Sequence, residues 1–504
     1  MKQKIASSVL ALLLTVLIFT GCSQNENSHD GNQMPPGDTA GSSEDNANGT
    51  QNSNDKAVQL IYYTIGTPPA DLGIINEELS RMTLEKVNAA VNLIFVDWGD
   101  YETKITAIIN SGTNYDIAFM SDYLGNAKRG AYEPLDDLLQ KYGQGILKAI
   151  NPLFWEGVRV DGKIYGIPTN KEIATPQWWM YPKELVEKYN IDIRNIKTIE
   201  DLEPWFEKLK VLEPEWQLMD LDQDSYFYWG YEYLLIDVPA VINLSDPDLA
   251  VRNLYEEERI VEVLHTLRRY FKAGYINQDA AIKPPSGLVR GEKVFWKQAQ
   301  GGPYADVIWT KDKGFPVVAV QAEEAIVTTE STRGAIVTVS SKSRNKVKAV
   351  QFLNLVNTDP DVRNTLGYGI EGLHYEVVKG KVDKVKFLEA SSRYVVPNYS
   401  LGNRFIMYPT VDDPDDLWEK YKAFNDAAVK SPILGFVPDI EPIKNEIAAV
   451  ADVHREFRPA LMTGSVEVEE NLNKLKIRLK EAGLDVIIET LQAQIDEWKS
   501  QQQQ

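Results

Sequence analysis

KITAIINSGTNYDIAFM, Lys104 to Met120, changes its apolar period partway through. Taken with Tyr101, the residues Ile105, Ile108 and Ile109 fall on one face at helical spacing, whereas Tyr115 to Met120 reads as a short buried strand. Upstream the same alternation repeats. Val58 to Tyr63 reads as a strand and is followed by a Thr-Ile-Gly-Thr-Pro-Pro loop, a helix over roughly Ile74 to Ala90, and a second strand over Asn92 to Val96. The order βαβαβ predicts an α/β protein with a parallel sheet, whose ligand-facing loops follow the carboxyl ends of the strands. Downstream, VDGKIYGIPT (Val160 to Thr169) predicts a hairpin turning at Asp161-Gly162, with Gly166 and Pro168 marking a bend on its far side. Gly334 to Gly372 predicts a strand, a Ser/Lys-rich turn and a helix on which Ala349, Phe352, Leu353 and Val356 share a face. The end of the chain is helical: Ile443, Ile447 and Val450 share one face, and Ile488, Leu491, Ile495 and Trp498 share another after a break at Ala482-Gly483.

The first residues speak to compartment. Lys2 and Lys4 precede an apolar run from Ile5 to Phe19, the build of a secretory signal rather than a membrane span. It ends in Phe19-Thr20-Gly21-Cys22, which resembles a bacterial lipobox with Phe19 in place of the usual Leu; Cys22 would then carry lipid and residues 1–21 would be removed. Cys22 is the only cysteine, so no disulfide and no thiolate metal site can form. Ser23 to Asp55 contains no Val, Ile, Leu, Phe, Tyr or Trp and cannot offset its chain entropy by burial. It is expected to be a disordered tether reaching about 30 Å, and such a leash suits a Gram-positive surface. The formal charge of -20 argues against nucleic acid, which needs clustered Lys and Arg, and keeps the body off an anionic membrane, leaving lipid as the anchor.

The KITAIINSGTNYDIAFM, VDGKIYGIPT and GAIVTVSSKSRNKVKAVQFLN passages, in that order, resemble the sugar-type solute-binding proteins of ABC importers. The tail from SPILGFVPDIEPIKNEIAAV to LQAQIDEW is similar to the carboxyl domain of a Gram-positive lipoprotein subfamily associated with carbohydrate. The resemblance implies a two-lobe fold of parallel-type sheets flanked by helices, with a cleft between the lobes and a helical C-terminal extension. Lobe 1 would take residues 57–165 and about 330–400; lobe 2 would take 166–330, with about 401–504 supplementing it and forming the helical region. It also implies a monomer on the outer face of the cytoplasmic membrane. There it would bind a saccharide by hinge closure and deliver it to a membrane permease, with no cofactor and no catalysis.

The residues themselves offer little to an enzyme. His29, His265, His374 and His454 are scattered, and HExxH, GxSxG, GxxxxGK[ST] and a helix-opening GxGxxG are all missing. Paired carboxylates remain available among 73 Asp and Glu, which leaves a wall-associated glycosidase open; a peptide or other small-solute binder and a purely structural lipoprotein stay open beside it. Asp220, Asp222 and Asp224 alternate as at the start of a calcium loop. Ser225 and Tyr231 stand where that loop needs Gly and its closing Glu, so a solvated acidic turn with no metal is expected.

Eleven Trp and 24 Tyr against 15 Phe favour a wall that stacks on sugar C–H faces and bonds to hydroxyls. Position selects the candidates. Asp97-Trp98 and Ser121-Asp122-Tyr123 follow the second and third strands, at the ligand edge of such a sheet. Tyr165 lies in the hairpin. Trp178 and Trp179 would point to opposite faces of a strand, and Trp178 is taken as the cleft residue. Trp229 and Glu232 follow an aromatic run, Trp296 and Tyr304 flank Gly301-Gly302, Tyr368 and Glu371 lie in GYGIEG, and Arg404 in GNRF could donate paired hydrogen bonds.

Overall fold

Val58–Ile65 lies inside a five-stranded sheet, paired in parallel with Ala89–Val96 from Val58↔Ala89 to Ile65↔Val96, and with Ile117–Phe119 on its other side. This is a computed structural model, and it describes residues 56–502 except Thr175 and Tyr228. The expected signal sequence, Cys22 and the tether up to Asp55 lie outside the described residues.

The helices Leu72–Val87 and Tyr101–Ser111 connect these strands. Each stops where the backbone turns left-handed, at Asn88 (φ 54°) and Gly112 (φ 71°), whose N–H groups close the last turns. Leu60 and Tyr62 face one side of the sheet, into a core with Leu93, Ile117, Phe352 and Leu353, while Tyr63 and Ile65 face Tyr101 and Ile105 on the other. Each fully buried aliphatic or aromatic side chain contributes about 1.5–3 kcal/mol, which binds strand and helix into one layered unit. The Asp161-Gly162 turn forms as expected, both residues at positive φ between Arg159–Val160 and Lys163–Ile164.

The remaining two strands of this sheet correct the expectation of parallel pairing. Ile336–Val339 runs antiparallel to Ile117–Phe119, and also to Gly166–Pro168, which is a full strand rather than a bend. Pro168 is where the chain leaves the sheet and Ile336 is where it returns, at the same edge. A strand entering at the carboxyl edge of its neighbours has to run against them.

A second, four-stranded sheet has the order Val317–Gln321, Gln177–Pro182, Val294–Gln300, Gln217–Met219 and is mixed for the same reason. Trp179, Tyr181, Phe206, Tyr270, Phe295 and Trp296 fill its core. A third core forms where the antiparallel strands Tyr231–Tyr233, Ala240–Asn243 and Val251–Asn253 meet the helices Lys444–Met462, Val468–Glu481 and Leu484–Gln502. Val450, Leu491 and Ile495 are buried there, and Ile447, Ile488 and Trp498 pack at its margin, on the faces that the periodicity singled out.

Two segments join the first two sheets, a third runs from the first core to the third, and all three lie side by side. Ile326–Val327 pairs in parallel with Val429–Lys430. Asn425 accepts from the N–H groups of Ile173 (3.2 Å) and Ala174 (3.5 Å), and its amide donates to the Lys171 carbonyl at 2.7 Å. Leu401, Phe424, Ala428 and Leu434 belong to the first core, so the stretch expected with lobe 2 from about residue 401 packs on the first sheet until Ile433 and Phe436 enter the third core.

Candidate functional site

The two crossings between these sheets leave from facing edges. On the first sheet that edge carries the ends of Val58–Ile65, Ala89–Val96 and Ile117–Phe119; on the second it carries Gln177, Ala299 and Gln321. The cleft therefore lies between the carboxyl edge of the first sheet and the crossing edge of the second.

Over the first edge is a groove of about 430 Å³, within the range of small-molecule sites. Trp98, Asp122 and Tyr123 line it together, as the strand-end argument expects, joined by Glu102, Ser121 and Arg333. Trp98 is 49% exposed and stacks on Tyr399 with ring centroids 6.4 Å apart. A large aromatic left half in water at the end of a buried strand is the feature that marks the site. Its neighbour Asp97 accepts from the Thr67 hydroxyl at 2.9 Å. The Ser121 hydroxyl donates to Glu102 at 2.7 Å. Asp122 adopts φ 37°, accepts from the Gly125 N–H at 3.2 Å, and pairs with Arg129 at 2.9 Å, which sets its carboxylate at the rim.

Tyr123 contributes only ring surface: its hydroxyl is turned inward and donates to the Val158 carbonyl at 2.6 Å. Above that ring, at 5.9 Å, lies the Arg333 guanidinium. One of its nitrogens donates to the Arg159 carbonyl at 3.1 Å, while its Nε has no hydrogen-bond partner among the described residues. Burial pushes Arg333 down to about 10, against the opposing influence of Tyr123, so it stays cationic at neutral pH. Arg333 and Tyr399 were missed by sequence reasoning. Each reaches the groove from a segment more than 200 residues beyond the strands that frame it, and neither sits in a pattern that local periodicity could flag.

The second edge is more polar. Gln177, Asp222, Asp224, Tyr226, Ser286 and Lys297 line a pocket of about 130 Å³, and the Gln177 amide donates to the Tyr226 hydroxyl at 2.5 Å. The expected solvated acidic turn is corrected here. Asp220 is buried and pairs with Lys297 and, at 2.5 Å, with Lys283; Asp222 accepts from the Asp224 and Ser286 N–H groups; Asp224 pairs with Arg458 at 2.8 Å. Gln217–Met219 ends alongside Val294–Gln300, and that pairing delivers Lys297 to Asp220.

The other candidates disperse. Trp296 is fully buried beside Trp179 and Phe227, because its strand lies inside a sheet covered on both faces, and it is not a cleft residue. Trp179 is likewise buried, whereas Trp178 is half-buried beneath Gly301, where a Cβ would come within 2.8 Å of its ring. Trp229 is half-buried against Trp179 and Phe227, and Tyr165 packs at the margin of the first core. Tyr304 donates to Asp416 at 2.6 Å. Tyr368 ends the helix Pro360–Tyr368, packs edge-on against Tyr375 and Phe387 and donates to the Tyr408 carbonyl; with the exposed Glu371 it borders a small hairpin, Tyr375–Val378 with Lys384–Phe387, and does not line the groove. Arg404 donates through one nitrogen, Nη1, to both Glu172 carboxylate oxygens, at 2.8 and 2.9 Å, and its guanidinium lies 5.2 Å from the Trp418 ring centroid, so it is held at the first crossing. Glu232 accepts from the Ser431 hydroxyl of the third crossing at 2.5 Å, and burial pushes its carboxyl up to about 7.

The described histidines do not line the groove. His374 bonds to Asp71, buried His454 sits between Tyr255 and the Asp237 carbonyl, and His265 lies near Glu469. The groove thus presents an aromatic face, two carboxylates with hydrogen-bonded partners and a buried cation. That is a set suited to orienting a polar ligand with apolar faces.

Residues 82–370 match the family model for bacterial extracellular solute-binding proteins, and residues 432–500 match a domain of unknown function, DUF3502. A carbohydrate ABC transporter substrate-binding protein of Streptococcus pneumoniae serotype 4 (strain ATCC BAA-334 / TIGR4) is 31% identical over 458 residues, covering 90% of this chain and 93% of the relative. The crystal structure of the N-glycan transport solute binding protein NgtS from Streptococcus pneumoniae aligns with a TM-score of 0.81 at 31% identity, over 87% of this chain and 98% of that one. The structure of NgtS in complex with Man5GlcNAc aligns over the same shares at 31% identity with a TM-score of 0.68. On the family match and on the identity held across nine-tenths of its length, the chain belongs to the bacterial extracellular solute-binding proteins.

Proposed function

We propose that the protein captures an oligosaccharide in the cleft and delivers it to an ABC permease, held at the outer face of the cytoplasmic membrane by lipid on Cys22 and acting as a monomer. The observation that carries the reading is Trp98, half-exposed at the carboxyl edge of the first sheet, with Glu102, Asp122 and Arg333 around it. A pyranose ring would stack on the indole and turn its hydroxyls to the carboxylates and the guanidinium. The S. pneumoniae relative, described as a carbohydrate substrate-binding protein, supports the same ligand class.

Closure of the two lobes about the crossings is the second part of the proposal. Supporting it, the NgtS structure whose description names no ligand aligns better than the Man5GlcNAc complex of the same protein, 0.81 against 0.68 at equal identity and coverage. The difference between those two values is one of shape. This chain has the shape of the former, and ligand would shift it toward the latter through its tighter binding to the closed form.

The test uses a soluble form beginning at Ala57, titrated calorimetrically with Man1GlcNAc, Man5GlcNAc, unrelated oligosaccharides and short peptides. Saccharide binding that Trp98→Ala weakens at least tenfold, at an unchanged melting temperature and with the sugar recovered intact, is the expected result. Binding of peptides alone would overturn the carbohydrate assignment, and cleavage of the sugar would overturn the transport reading.

A further inference from the structure

The groove does not end at Trp98. A second depression of about 470 Å³ lies beyond the same indole, walled by Thr67, Pro68 and Pro69 on one side and by Arg393, Val395 and Pro397 on the other. Two loops distant in sequence make this wall, and three separate devices hold them in place. Gly66, at φ 136°, lets Pro397 approach to 3.0 Å of where a Cβ would be, so the second loop rests directly on the end of the first strand. Asp71 accepts from Arg393 at 2.5 Å and lies 3.2 Å from the Nε2 of His374, while Nδ1 of that ring accepts from the Ile370 N–H at 3.0 Å. With Nδ1 accepting, Nε2 is the nitrogen that carries the proton toward Asp71. Arg363, fully buried, donates to the Asn398 side chain, the Asn398 carbonyl and the Asn403 carbonyl, fixing the segment that carries Tyr399 under Trp98.

The depression is thus built and braced, and its surface is left open. Val395 is 70% exposed, an apolar side chain with water where a partner would sit. Each of the two depressions alone is large enough for a small-molecule site. A mono- or disaccharide would fill one of them and leave the other empty.

The geometry points to a second sugar subsite on the far side of Trp98, which receives the distal residues of the same oligosaccharide whose proximal residues occupy the groove over Asp122 and Arg333. The ligand is accordingly a chain long enough to pass over the indole. Its ring faces lie on Pro68, Pro69, Val395 and Pro397, and its hydroxyls meet Thr67, Ser392 and Arg393. This rests on the carbohydrate reading above and adds length to it.

The experiment compares Man1GlcNAc with Man5GlcNAc on the wild-type protein and on Val395→Trp, a substitution at an exposed position that fills the second depression without touching the first. Wild-type affinity is expected to rise at least tenfold from the short glycan to the long one. Val395→Trp should cancel that rise and leave the affinity for Man1GlcNAc and the melting temperature unchanged. Equal wild-type affinities, or a rise that survives in Val395→Trp, would overturn the second subsite and leave the carbohydrate reading standing. Failure of every saccharide to bind would overturn both.

Discussion

Replacing Glu232 with Gln should stabilise the protein above neutral pH and leave it unchanged in mild acid. Glu232 stands in the strand Tyr231–Tyr233, facing the third crossing. Burial raises its carboxyl from 4.5 to about 7; the Ser431 hydroxyl works against that rise and nearby Glu330 adds to it. An unfolded chain releases this proton near 4.5, so between 4.5 and 7 the native state holds a proton that the unfolded state has given up. Stability therefore falls as pH rises through that window, and the full penalty is present above it. At about 1.4 kcal/mol per pH unit the penalty comes to about 3 kcal/mol. A glutamine at this position is neutral at every pH and still accepts from Ser431 through its amide oxygen. With an unfolding entropy of about 2.1 cal/mol/K per residue over roughly 450 residues, Glu232→Gln should raise Tm by about 3 °C at pH 8. At pH 4.5 it should shift Tm by almost nothing. Scanning calorimetry of both proteins across pH 4.5–8 measures the difference directly. Curves that stay parallel over the whole range, or a variant less stable than wild type at pH 8, would refute the assignment of a protonatable buried carboxyl to this site.

Two further outcomes follow from the polar interior. Asp220→Asn leaves Lys297 without its counter-charge in a buried setting, and Lys283 with Glu292 alone, and should cost about 3–5 kcal/mol, read as a lower urea midpoint, with Asp220→Asn/Lys297→Met recovering part of the loss. Asn425→Ala strips the first crossing of three hydrogen bonds and should cost about 1–3 kcal/mol, with amide exchange accelerating specifically at Ile173 and Ala174.

What could be read from the sequence was whatever local period and strand ends determine. The helix over Tyr101–Ser111 and the strands before and after it follow from spacing alone, and once βαβαβ is granted, Trp98 and Asp122 have to lie at the carboxyl edge. Strand direction could not be read in the same way. Ile336–Val339 runs against both its neighbours, Ile117–Phe119 and Gly166–Pro168, because of where the chain re-enters the sheet, which is a non-local fact. Trp296 misled because alternation shows that a residue points to one face of a sheet, while only the packed molecule shows that both faces are covered. Arg404 misled differently: a free guanidinium in a loop and one already held by Glu172 look alike in one dimension. Tyr368 lies next to glycines in a loop-like stretch, yet its ring closes a small hairpin core.

The third core also dictates an order of assembly. Val241, Ile242 and Leu254 are fully buried in a core shared with helices that begin at Lys444, roughly 200 residues later in the chain. While the polypeptide emerges amino end first, this apolar antiparallel sheet has to wait for the last part of the chain before it can be covered. Non-local closure of that kind is slow and leaves strand surface open to wrong partners. Val429–Lys430, which completes the parallel pairing at the crossings, lies before those helices, with residues 431–443 between, so the crossings are complete in the chain before the third core can close. A chain interrupted before Lys444 would thus carry a finished first groove and complete crossings beside a third sheet still bare of its covering helices.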